Sequence, residues 1–139
     1  MDQETAFPNE SQIVNLLLDT HILLWWLADD ARLPARARRQ IAEEARTVFV
    51  SVVSLWEVAV KIGKGKLRAD LKAIHAQVES SDFTYLPIEP AHVLTLSRLP
   101  GHHADPFDRM LIAQAMFEGL SLLTCDTALQ PYGEMVILA

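Results

Sequence analysis

The sequence predicts an α/β fold built on a parallel sheet. Short apolar or β-branched runs at 13–18, 47–53, 120–124 and 135–138 are separated by stretches with helical spacing. Several of these runs are apolar without alternation, as strands buried on both faces are. The chain has 139 residues, half of them hydrophobic. That is enough for one domain with its own core and argues against disorder. Residues 1–12 hold Asp2, Glu4, Pro8 and Glu10 and read as a flexible leader, with one domain over 13–139.

The elements follow in order. The run Ile13-Val14-Asn15-Leu16-Leu17-Leu18 is a strand that ends at Asp19-Thr20. That pair is an N-cap signal for a helix carrying Ile22, Leu23, Trp26 and Leu27. Pro34 starts a second helix to about Ala45, with Ala37, Ile41 and Ala45 on one face. Thr47 to Val53 is a β-branched second strand. Ser54-Leu55-Trp56-Glu57 has capping-box spacing and opens a helix that stops near Gly63 and Gly65. A helix over about Leu71 to Glu79, a strand over Phe83 to Ile88 and a short helix over Ala91 to Leu99 come next. Pro100-Gly101 breaks the chain, and Pro106 stands at the first position of a helix. From Phe107 to Phe117 that helix is apolar nearly all round, which predicts burial, and Gly119 stops it. Leu120 to Thr124 and Met135 to Leu138 close the sheet.

Composition narrows the function classes. The single cysteine, Cys125, excludes an internal disulfide framework and a cysteine zinc site, and suits a reducing compartment. The longest apolar run, Ile22 to Ala28, is far below the ~18–20 residues of a membrane span. The acidic start Met1-Asp2-Gln3-Glu4 is unlike a secretory signal. A cytoplasmic location is the expectation. The net charge of −6 argues, taken alone, against a nucleic-acid partner.

Parallel sheets place their sites at the carboxyl ends of strands. Asp19 follows the first strand, Glu57 lies in the helix after the second, Asp105 and Asp108 open the buried helix, and Asp126 follows Thr124. Each acid has a plain explanation as a helix cap or first-turn carboxylate. Together on one rim they repel each other and call for an opposing cation. An all-oxygen ligand set selects a hard divalent ion, Mg²⁺ or Mn²⁺. Carboxylates holding one or two such ions are suited to phosphodiester hydrolysis.

Four segments carry a family resemblance: Leu16-Leu17-Leu18-Asp19-Thr20-His21, Ser51-Val52-Val53-Ser54-Leu55-Trp56-Glu57, Asp105-Pro106-Phe107-Asp108-Arg109-Met110-Leu111-Ile112-Ala113-Gln114-Ala115, and Leu123-Thr124-Cys125-Asp126. In this order they resemble the PIN-domain ribonucleases, nearest the VapC-type toxins of bacterial toxin–antitoxin pairs. The resemblance implies a three-layer α/β/α sandwich, Mg²⁺- or Mn²⁺-dependent RNA cleavage, a homodimer and an antitoxin partner. It places the family's acids on Asp19, Glu57, Asp108 and Asp126, with Asp105 as a helix cap or alternative ligand. Thr20, Ser54 and Thr124 become hydroxyls that orient carboxylates, a role that ordinary capping rivals.

Nine of the twelve basic residues fall in two runs, Arg32 to Arg39 and Lys61 to Lys72. In the second, Lys61, Lys64, Lys66 and Arg68 are candidates for a phosphate backbone, against the alternative of a solvated helix end. Setting the four proposed ligands aside leaves −2, so the charge balance does not exclude RNA. His102 and His103 read as loop or rim residues, since no third His or Cys lies at zinc spacing. Arg109 is expected to pair with a neighbouring carboxylate. Trp25 and Trp26 cannot both face one core, and one of them is expected at an interface. Two other classes compete with the nuclease. A phosphoryl-transfer protein is disfavoured: a phosphatase of the haloacid-dehalogenase type wants Asp where His21 stands, and a receiver wants a late Lys. A non-enzymatic interaction module would leave the acids as caps.

Overall fold

The structure is a computed structural model that describes residues 15–139. The expected leader and the first residues of the first strand lie outside them. The elements are β1 (Asn15–Leu18), α1 (Thr20–Leu27), α2 (Ala35–Arg39) running into a π-turn at Gln40–Glu44, and β2 (Thr47–Ser51). Then come α3 (Val52–Gly63), α4 (Leu71–Ser80), β3 (Phe83–Leu86), α5 (Pro90–Leu96) and α6 (Pro106–Glu118). The chain ends with β4 (Ser121–Thr124), a 3₁₀ turn at Thr127–Tyr132, and β5 (Val136–Leu138).

The five strands form one all-parallel sheet in the order β3-β2-β1-β4-β5. Leu18 is in register with Val50 on one side and Leu123 on the other. The pleat sorts the side chains to two faces. Leu16 and Leu18 join Ile22, Leu23, Ala37, Ile41, Val48, Val50 and Val78 on one side. Leu17 joins Leu111, Ile112, Ala115, Leu122, Leu129 and Val136 on the other. The fold is thus the expected three-layer α/β/α sandwich. Burying each of these leucines stabilises it by roughly 1.5–3 kcal/mol. Among the described residues no helix is long and apolar enough to cross a membrane.

The ends of β3 and α5 fall one to three residues from the sequence expectation, and two further differences stand out, one of which matters. The second strand ends at Ser51, and Val52 and Val53 form the first turn of α3 despite their β propensity. The Ser51 hydroxyl accepts from Val53 N at 2.9 Å, so Ser51 is the cap. Ser54 therefore does not open a capping box; it lies buried inside the helix. The second helix is the other case, since α2 turns into a π-turn after one turn and a half. The buried helix α6 is covered from Leu111 to Ala115, but Met116 and Phe117 are exposed near its end. Gly119 stops it in the left-handed conformation, φ 70°, where glycine carries no Cβ penalty.

A buried polar chain ties α6 to the sheet. Ser51 Oγ donates to Gln114 Oε1 at 2.6 Å, and Gln114 Nε2 donates to Pro87 O at 3.2 Å. The fully buried His92 accepts from Glu89 N on Nδ1 at 3.0 Å. Its Nε2 then carries the proton and donates to Glu118 Oε2, 2.7 Å away. Ser51→Ala removes both the α3 cap and a partner of a buried amide. The expected loss is about 2 kcal/mol of unfolding free energy, checked by urea denaturation.

Candidate metal centre at the carboxyl edge

The strand order reverses between β1 and β4, because the chain winds outward to β3 and then returns to the other flank of β1. Neighbouring connections leave such a junction in opposite directions and open a crevice at its carboxyl end. Asp19 is the first residue past β1, and Asp126 lies two residues past β4. The junction is bonded directly: Asp19 N donates to Leu123 O, and Thr124 Oγ1 donates to Asp19 Oδ2 at 2.5 Å. The other Asp19 oxygen accepts from Ile22 N at 2.8 Å and caps α1.

Glu57 comes from the opposite flank. Ser54, Glu57 and Lys61 share one face of α3 by their three- and four-residue spacing. Thr20 Oγ1 lies 2.7 Å from Glu57 Oε1 and 2.9 Å from Ser54 Oγ. A hydroxyl has one proton, which goes to the carboxylate, leaving Ser54 to donate to Thr20. The three expected orienting hydroxyls thus all touch their acids or each other. Lys61 Nζ binds Glu57 Oε2 at 2.7 Å. This bond raises the Lys61 pKa, with further help from Asp105 and Asp108. Lys61 therefore stands among the acids, apart from the exposed Lys64, Lys66 and Arg68.

The Asp105 and Asp108 alternatives separate by geometry. Asp105 Oδ1 accepts from Phe107 N and Asp108 N and is the cap of α6. Asp108 points into the acid cluster, where His103 Nε2 lies 2.9 Å from its Oδ2. Burial is the main cause that pushes the Asp108 pKa up to about 6, reinforced by the charges of Asp105, Glu57 and Asp19 and opposed by the His103 bond. Asp19 is also raised, chiefly by burial and in small part by Glu57, against the bonds from Thr124 and Ile22. Asp126 is exposed and caps the 3₁₀ turn through Ala128 N. So Asp19, Asp105 and Asp126 do cap helices, whereas Glu57 and Asp108 do not. Asp19 and Glu57 are 5% and 3% exposed. Buried carboxylate oxygens with no thiolate among them suit a hard divalent cation.

Other expectations resolve here. Among the described residues Arg109 binds no carboxylate; its Nη1 donates to Pro100 O at 2.9 Å and to Tyr132 Oη at 3.1 Å. Arg32 and Arg38 pair with Asp30 and Asp29, so half of the first basic run is engaged. Trp25 and Trp26 are both half-buried against the core. The tryptophan left exposed is Trp56, edge-on to Phe107, which the sequence reading did not single out. A cleft of about 670 Å³ opens beside Thr20 and Lys61, lined by His21, Trp25, Lys66 and Arg68.

A doubly wound parallel sheet with convergent acids at its switch point defines the class: an α/β domain with a candidate metal centre. The PIN-domain family model matches residues 16–134, and the chain belongs to that family. It is 28% identical over 122 residues to the ribonuclease VapC22 of Mycobacterium tuberculosis, covering 86% of this chain and 93% of that protein. Among solved structures it is similar to VapBC2 of Rickettsia felis bound to a promoter DNA fragment, with 14% identity and a TM-score of 0.66. That match covers 90% of this chain and 97% of the other. FitAcB of Neisseria gonorrhoeae matches at 18% identity and a TM-score of 0.59, covering 81% and 88%.

The raised Asp108 pKa has a direct consequence. An acid whose folded pKa exceeds its unfolded value binds its proton more tightly when folded, so its contribution to stability falls as pH rises through that range. Asp108→Asn should stabilise the metal-free protein at pH 7.5 by about 1 kcal/mol, allowing for solvent screening. The gain should shrink toward zero as pH drops below about 6, as thermal denaturation at pH 5, 6 and 7.5 would show.

Proposed function

We propose that the chain is a metal-dependent endoribonuclease and the toxin of a toxin–antitoxin pair. The observation that carries this is the convergence of buried Asp19 and Glu57 with Asp108 at the switch point of a PIN-domain sheet. The ribonuclease name of the Mycobacterium tuberculosis relative supports the same activity. Asp19, Glu57, Asp108 and Asp126 would hold one or two Mg²⁺ or Mn²⁺ ions. When bound, such an ion supplies an activated water and neutralises charge at the phosphate.

The remaining work falls to the chain. Thr124 and Ile22 N fix the Asp19 carboxylate, and Thr20 fixes Glu57, so the acids need no reorganisation when the ion arrives. Lys61 offsets the charge on Glu57. Lys66 and Arg68 line the adjacent cleft and would meet an RNA backbone entering it, with Trp25 as an aromatic wall and the exposed Lys64 close by in sequence. A homodimer, an antitoxin that masks the site and a cytoplasmic location belong to the same proposal, and the VapC resemblance supports it.

Asp19→Asn and Glu57→Gln should each lower Mg²⁺-dependent RNA cleavage at least 100-fold, with circular dichroism and melting close to wild type. Wild-type cleavage rates in both purified variants would remove the mechanism. Lys66→Ala with Arg68→Ala should weaken RNA binding several-fold and flatten its salt dependence, read by fluorescence anisotropy, while Mn²⁺ binding stays intact.

A further inference from the structure

We propose that His103 is a nitrogen ligand of the bound cation, completing with Asp108 and Asp126 a position that favours Mn²⁺ over Mg²⁺. This deepens the metal-nuclease function proposed above and depends on it.

One ligand atom each from His103, Asp108 and Asp126 can be chosen so that all three lie within 4.8 Å of one another. His103 Nε2 and Asp108 Oδ2 are 2.9 Å apart. Adjacent ligands around a small octahedral ion with bonds of ~2.1 Å are separated by about 3 Å. The imidazole and the carboxylate thus already stand at the spacing of two neighbouring ligands. Asp126 spends one carboxylate oxygen on its cap to Ala128 N and has the other for the pair. Asp108 also lies in the field of Asp19 and Glu57, so it links this trio to the buried acids.

The loop that carries His103 is built, not trailing. Arg109 Nη1 donates to Pro100 O at 2.9 Å and to His103 O at 3.4 Å. The same guanidinium nitrogen binds Tyr132 Oη, and the His102 ring packs edge-on against the Tyr132 ring at 5.1 Å. At its end Asp105 caps α6. Arginine, tyrosine and cap thereby fix where the His103 ring projects, and both His103 and Asp108 keep about a fifth of their side-chain surface open to solvent. The neighbouring His102 is turned to Tyr132 and serves as an internal control. Mg²⁺ takes oxygen and gives up water reluctantly, whereas Mn²⁺ also accepts imidazole nitrogen. One nitrogen among the carboxylates shifts the preference toward Mn²⁺.

The test is Mn²⁺ binding to the untagged full chain, read by pulsed electron paramagnetic resonance for ¹⁴N coupling and by calorimetry. Wild type should show coupling from a directly bound imidazole. His103→Ala and His103→Gln should lose it and bind Mn²⁺ at least tenfold more weakly, with Mg²⁺ affinity changed less than threefold. His102→Ala should keep the coupling. Mn²⁺ binding without ¹⁴N coupling in wild type would overturn the His103 role and leave the metal centre standing. Coupling that survives in both His103 variants would overturn it too. No Mn²⁺ binding in wild type would overturn both this role and the metal-nuclease function.

Discussion

Two carboxylates, Asp19 and Glu57, are buried at the end of a parallel sheet, and the rest of the molecule accommodates that fact. Burying like charges costs several kcal/mol unless hydrogen bonds and an opposing charge offset it. The chain supplies both. Thr124, Ile22 N and Thr20 donate to the carboxylates, and Lys61 places an ammonium on Glu57. What is left over is visible on Asp108, whose proton affinity is raised by burial and by its acidic neighbours. The divalent cation proposed for the site would offset that residual repulsion.

The acids meet because of topology more than local sequence. Asp19 and Thr124 are separated by 105 residues and joined by one hydrogen bond across the β1/β4 junction. Glu57 is brought in by α3, whose start at Val52 sets the face on which Ser54, Glu57 and Lys61 lie. Asp108 is held by α6, and α6 is anchored through Gln114 to Ser51, the cap of α3. The two helices that carry Glu57 and Asp108 are therefore keyed to each other by a buried hydroxyl–amide contact. Sequence spacing alone could not have shown that contact, because Gln114 reads as one polar residue in an apolar helix.

Much of the fold was legible in the residues. The continuous apolar run around Leu16-Leu17-Leu18 signalled a strand covered on both faces, and Pro106 and Gly119 marked the ends of α6 to within a residue. The acids at strand ends pointed to the carboxyl rim, where Asp108 lies in the field of Asp19 and Glu57 and close to Asp126. Less legible were features decided by competition. Val52 and Val53 read as strand because β-branched residues favour it, but the Ser51 cap and the packing of Val53 into the core made them helix. His103 read as a loop or rim residue because no third His or Cys lies at zinc spacing from the His102-His103 pair. Its approach to Asp108 depends on how Arg109 and Tyr132 hold the loop.

The sequence by itself determined the class of fold, the strand and helix order, and which acids stand at the carboxyl ends of the strands. These depend on local propensity and hydrophobic period, which are written residue by residue. Tertiary structure alone decided which of two neighbouring carboxylates became a cap and which turned toward the other acids. Asp105 and Asp108 are the same residue type three positions apart. One finds two backbone N–H groups at the start of α6, and the other is carried by the next turn of the helix into the field of Asp19 and Glu57.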